Sequence, residues 1–154
     1  MATVSPKTVP EIRVMREEDL DRIIEIDNRV LGERRPDYWE GKVEMTEKRS
    51  PLPSLVAEIE GKVVGFILGD ASGWEYGVPE NIGWIDTIGV APSYQRKGVA
   101  KMLIEEMLNP MKKVGVDTTV YTFVNWRDWG LLQFFDAMGF KRGDMINLEF
   151  KIGD

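Results

Sequence analysis

With 154 residues, 43% of them apolar and 30% charged, the chain has the length of one compact domain and the composition of a folded protein. It contains no cysteine and no histidine, which excludes disulfides, thiolate or imidazole nucleophiles, and metal sites built on either ligand. A net charge of −6 argues against non-specific nucleic-acid binding, and any general base must be Asp, Glu, Tyr, Lys or a water held by them.

Residues 1–10 read as a loose arm without the apolar segment of a signal peptide, and no apolar run approaches the ~20 residues of a membrane span. A cytoplasmic protein is therefore expected. Glu11 to Arg16 (EIRVMR) alternates like a first strand. The acidic run Glu17-Glu18-Asp19 then opens a helix, whose stripe is Leu20, Ile23, Ile24, Asp27, Val30 and Leu31, closing at Gly32. Glu33 to Arg49 reads as a polar loop holding a short second helix and two aromatics, Tyr38 and Trp39. Ser54–Glu60 and Val63–Asp70 are two strands joined at Gly61-Lys62, a hairpin signal. Residues 71–81 form a loop carrying Trp74, Glu75 and Tyr76.

Ile82 to Val90 (IGWIDTIGV) is the next strand, stopped by Pro92. The helix after Gly98 shows Val99, Leu103, Met107, Met111 and Val114 to the core, bends at Asn109-Pro110 and is capped by Gly115. Asp117–Val124 is a β-branched and aromatic strand, Asp128–Met138 a second apolar helix closing at Gly139, and Ile146–Ile152 alternates like a last strand. The order β-α-α-β-β-β-α-β-α-β predicts an α/β (α+β) domain over residues 11–154, a mixed sheet with helices on both faces.

Between the Ile82–Val90 strand and its helix lies Gln95-Arg96-Lys97-Gly98-Val99-Ala100. Open N–H groups at a helix start, the helix dipole and two basic side chains favour an anion, while Gly98 and Ala100 leave room for close approach. The motif resembles the acetyl-CoA signature of the GNAT superfamily of N-acetyltransferases, Q/R-x-x-G-x-G/A, and Phe134–Phe140 (FFDAMGF) resembles the family's fourth helix. The order of elements fits the family from about Ile12 to Ile152. No Walker-type or dinucleotide glycine motif competes.

The resemblance implies coenzyme A as co-substrate, its pyrophosphate on Gln95 to Lys101 (Gln95, Arg96, Lys97, Gly98, Val99, Ala100, Lys101). It implies a pantetheine arm hydrogen-bonded in strand fashion to Ile88, Gly89 and Val90, with no metal. Asn125, Asp128 and Phe135 are the remaining implied cofactor contacts. Phe135 stands where the family often has a tyrosine, and Asp128 where it often has asparagine; Asp128 also reads as a helix N-cap. For the base, Asp86 is the first candidate, a carboxylate on the strand expected to share one face with Trp84, Ile88 and Val90. Glu80 and Glu75 follow, and Glu33 is more remote. Trp126 and Trp129 are read as packing residues. Tyr38, Trp39, Trp74 and Tyr76 either shape the acceptor site or cover the sheet edge.

The expected activity is transfer of an acetyl group from acetyl-CoA to a primary amine, on a small molecule or a peptide, by direct attack in a ternary complex. No nucleic-acid or membrane partner is expected, and a homodimer is left open. The alternative is a module with the same fold that binds acyl-CoA without turnover.

Overall fold

The computed structural model describes residues 9–73, 77 and 80–153, and the chain divides into two compact units, residues 1–122 and 123–154. The first unit contains β1 (Glu11–Val14), α1 (Leu20–Leu31), α2 (Pro36–Arg49), β2 (Leu55–Ile59), β3 (Lys62–Gly73), β4 (Asn81–Val90), α3 (Val99–Lys113) and β5 (Thr119–Thr122). The second contains α4 (Trp129–Ala137). The five strands form one sheet in the order β1-β2-β3-β4-β5, antiparallel as far as β4 and parallel between β4 and β5.

The β2–β3 hairpin turns on Glu60 and Gly61, at φ +51° and +76°, and Lys62 pairs with Ile59. Two central residues with positive φ make the turn whose twist suits paired strands. Gly61-Lys62 is thus not the turn pair, because Lys62 already belongs to the ladder.

β3 separates the two layers. A Cβ built at Gly65 would lie 3.1 Å from Val99 Cγ1 and 3.2 Å from Leu103 Cδ1; at Gly69 it would lie 3.2 Å from both Met107 Sδ and Met111 Cε. Helix α3 therefore sits tightly on that face. Phe66 and Leu68 point the other way, into a cluster with Ile23, Ile24, Ile26 and Trp39, so α1 and α2 cover the opposite face. Arg13 ties β1 to the entrance of α1. Its guanidinium donates twice to Asp19, at 2.8 Å, and once to Glu58, at 2.7 Å. That contact holds the Asp19 carboxyl below the usual carboxylate range, against the opposing effect of burial.

Several expectations need correction. α2 is a 14-residue helix rather than a loop with a short helix, and Trp39 lies fully buried in it against Phe66 instead of lining a loop. In α1 the predicted stripe ends early. Val30 and Leu31 are exposed, while Asp27 is buried because Arg35 grips both its oxygens, at 2.9 and 3.0 Å. Val114 is exposed just past the end of α3, and Val116 is the buried residue there. Residues 141–153 contain no strand. Alternation alone does not make a strand. Without a ladder partner, Ile146, Leu148, Phe150 and Ile152 remain 75%, 83%, 91% and 98% exposed. Among the described residues no helix is long and apolar enough to cross a membrane.

Candidate active site

Two features of β4 mark the candidate site. The first is a register shift. Leu68 pairs with Thr87 and Gly69 with Ile85, so Asp86 is an extra residue without an opposite number. The extra residue reverses the strand's alternation. A Cβ at Gly83 would meet Met111 and Val120, on the α3 side, whereas one at Gly89 would meet Phe66, on the α1 side. In an unbroken strand, residues six apart share a face. The expectation that Trp84, Asp86, Ile88 and Val90 share a face therefore fails, because the bulge lies among them.

The second feature is a fork. β5 pairs with β4 only from Ile82 to Ile85, and Thr122 Oγ1 closes that ladder with a 3.0 Å bond to the Ile85 carbonyl. Beyond it, Thr87, Ile88, Gly89 and Val90 are paired to β3 on one edge and, among the described residues, to no strand on the other.

At the far end of this open edge the chain makes a 3-10 turn, Pro92–Tyr94, and then the loop to α3. Gln95 Nε2 donates to the Val90 carbonyl at 3.0 Å, so the glutamine side chain fastens the loop to β4 rather than reaching outward. Arg96 adopts φ +62° and Gly98 φ +83°. An arginine in the left-handed region is uncommon and strained, and such strain collects at working sites. Gly98 is the N-cap of α3, and no side chain caps the helix start. Nothing lies within 4 Å of where its Cβ would be, so backbone conformation, not crowding, calls for glycine here. The N–H groups of Val99, Ala100 and Lys101 are thus first-turn donors with no intrahelical partner, and Arg96, Lys97 and Lys101 bring positive charge beside them. This arrangement suits a pyrophosphate.

Asp86 stands at the fork. Its Oδ2 accepts from Lys42 Nζ at 2.6 Å, and its Oδ1 from the Thr87 hydroxyl at 3.0 Å. Lys42 is the residue that sequence reasoning missed. It follows the buried Trp39 by three positions on α2, a spacing that places both on one flank of a helix. That signal needs the whole of α2 to be recognised as helical. Glu80 is bonded to the Thr118 hydroxyl at 2.9 Å. It lies six residues from Asp86, roughly 20 Å along a strand, so the two carboxylates do not converge. Glu75, with Trp74 and Tyr76, falls outside the described residues.

In the second unit, Asp128 is the N-cap of α4, its Oδ1 accepting from the Leu131 N–H at 3.1 Å. Asn125 Oδ1 accepts from the Arg127 N–H at 3.0 Å. Phe135 is buried between Phe134 and Phe140, ring centroids 5.2 and 4.9 Å away. Trp126 and Trp129, expected to pack, are 68% and 67% exposed.

Comparison with known proteins bears on the family and the fold. The model of the acetyltransferase (GNAT) family matches residues 20–140. Proteins named N-alpha-acetyltransferase from Sulfurisphaera tokodaii and Saccharolobus solfataricus are each 28% identical over 149 residues, covering 93% of this chain and 87% of theirs. Among solved structures, an aminoglycoside N-acetyltransferase, AAC(6')-Iy, in complex with CoA superposes with a TM-score of 0.80 at 18% identity, covering 95% of this chain and 97% of that one; at such identity the likeness concerns the fold. A transcriptional regulator from Bacillus halodurans C-125 has a TM-score of 0.79 at 16% identity, covering 94% and 100%. A non-catalytic acyl-CoA-binding module is the less favoured reading of this combination. The match over most of the chain, around a forked sheet and an uncapped helix start, establishes that it belongs to the acetyltransferase (GNAT) family and is an acyl-CoA-dependent N-acetyltransferase.

Proposed function

We propose that the protein binds acetyl-CoA with the pyrophosphate on the Arg96–Lys101 turn and the pantetheine arm along the open edge of β4, and acetylates the α-amine of a polypeptide by direct attack. The observation that carries this reading is the fork at Ile85. From Val90 to Asp86 is four residue steps, about 13 Å of unpaired strand edge, which an extended arm can occupy as a substitute strand. Its reactive end then arrives beside Asp86.

The chain has no cysteine to carry the acyl group, which suits attack by the amine itself on the thioester carbonyl. Asp86 is the carboxylate placed to take the proton the amine must lose. The N–C bond forms as the C–S bond breaks. A thiol has an ordinary pKa of about 8.5, so the thiolate departs readily and takes its proton from water. The phenyl ring of Phe135 has no proton to give. The α-amine acceptor is supported by the names of the curated relatives, and the small-amine alternative by the aminoglycoside enzymes that share the fold.

The test is thiol release from acetyl-CoA with three probes: a lysine-free peptide with a free N-terminus, an N-blocked lysine peptide and an aminoglycoside. The protein adds no thiol background. Turnover of the first probe is expected, and turnover of the aminoglycoside alone overturns the acceptor. In calorimetry, Arg96→Glu/Lys97→Glu is expected to weaken acetyl-CoA binding at least about tenfold by opposing the phosphates. Unchanged affinity in the folded variant overturns the site.

A further inference from the structure

We infer that Lys42 is an acceptor of the enzyme's own acetyl group, a self-acetylation site built into the fork. The inference rests on the proposed seat of acetyl-CoA and follows from what Lys42 is and where it stands. Its Nζ is a primary amine 2.6 Å from Asp86 Oδ2, in a contact between residues 44 apart in sequence that joins α2 to the bulge of β4. An incoming substrate amine must present the same group to the same carboxylate.

Lys42 is also unlike the other paired lysines of the described residues. Its side chain is 25% exposed, against 71% for Lys48, paired to Glu44 at 2.6 Å, and 62% for Lys101, 3.9 Å from Glu105. Those two pairs lie along single helices at i,i+4 and are open to solvent. The Lys42 pair bridges a helix and the strand edge where the thioester arrives.

The step balances without any further reactant. The Lys42 ammonium gives a proton to Asp86, and the nitrogen lone pair attacks the thioester carbonyl. The tetrahedral intermediate collapses with loss of the C–S bond. Acetyl-Lys42 and coenzyme A result, the thiolate taking a proton from water and Asp86 returning its own to solvent. The acetamide is neutral, so it no longer holds the carboxylate as a cation and leaves Asp86 open to an external amine.

Lys48 supplies the internal control. Chemical acetylation by a thioester follows exposure, so it labels Lys48 ahead of Lys42. The experiment incubates the intact chain with acetyl-CoA carrying an isotopic acetyl group, without acceptor, and follows each lysine by mass spectrometry of its peptides. Label is expected on Lys42 at least about 10²-fold faster than on Lys48, the lower end of what positioned proton transfer supplies. Excess unacetylated coenzyme A should suppress the label on Lys42 and not on Lys48, and Asp86→Asn should lower the Lys42 rate alone. Label on Lys48 first, or on Lys42 without sensitivity to coenzyme A, overturns the inference. If acetyl-CoA binds and the N-terminal peptide is acetylated in parallel, that result leaves the proposed activity standing. A chain that fails to bind acetyl-CoA overturns both.

Discussion

The two halves of β4 obey different rules. From Ile82 to Ile85 the strand has neighbours on both edges, and Gly83 takes Met111 and Val120 against its face. From Thr87 to Val90 it has a neighbour on one edge, and Gly89 takes Phe66 against the opposite face. One extra residue, Asp86, separates the two regimes. A sheet can thus prepare a place for a ligand by withholding a strand, while the remaining edge stays rigid through its pairing with β3.

The largest expected effect falls on the residue at the boundary. Asp86→Asn keeps the size and removes the proton acceptor. Turnover should drop about 10²- to 10⁴-fold while acetyl-CoA affinity by calorimetry is retained. Turnover within threefold of the unaltered enzyme would place the base elsewhere, with Glu80 and Glu75 next to test.

A smaller effect is expected in the open half. In Gly89→Ala the new Cβ lies 2.6 Å from Phe66 Cζ and 2.7 Å from Cε1. Phe66 is 2% exposed and packed edge-on to Trp39 at 5.1 Å, so the ring has nowhere to go. A loss of about 1–3 kcal/mol is expected in urea unfolding, with weaker acetyl-CoA binding because the open edge is displaced. The smallest effect is expected in the doubly held half. In Gly83→Ala the Cβ meets Met111 Sδ at 2.9 Å, Met111 Cε at 3.3 Å and Val120 Cγ2 at 3.3 Å. A methionine terminus can rotate aside, and the cost should stay below about 1 kcal/mol by the same measurement. A larger loss at Gly83 than at Gly89 would reverse the comparison.

The loop proposed to hold the phosphates was legible in the sequence because its chemistry lies in the backbone. A glycine, two basic residues and a helix start announce themselves locally. The strand leading to it was legible for the same kind of reason, since β-branched residues and Pro92 bound it. The bulge was not, because IGWIDTIGV alternates plausibly and nothing in it says that residues 83 and 89 lie on opposite faces. Lys42 was hidden by the composition of α2, in which Trp39 is the one buried residue and the apolar period is too thin to read. The hairpin was expected in the right place with the wrong central pair, since Glu60 at positive φ has no sequence signature of its own. The stretch Ile146–Ile152 carries a clear period of two, but a period describes a face and not a partner.

The close seating of α3 on β3 and β4 has a chemical consequence. Met107 and Met111 are 0% and 1% exposed, and their terminal atoms rest over Gly69 and Gly83. A sulfoxide would add a polar oxygen where even a methyl carbon is crowded. While folded, the protein shields both thioethers from peroxide. A chain oxidised at these two residues before it folds cannot seat the helix, so their vulnerability to oxidants belongs to synthesis and refolding, whereas the half-exposed Met45 and Met145 stay open to oxidants in the folded protein.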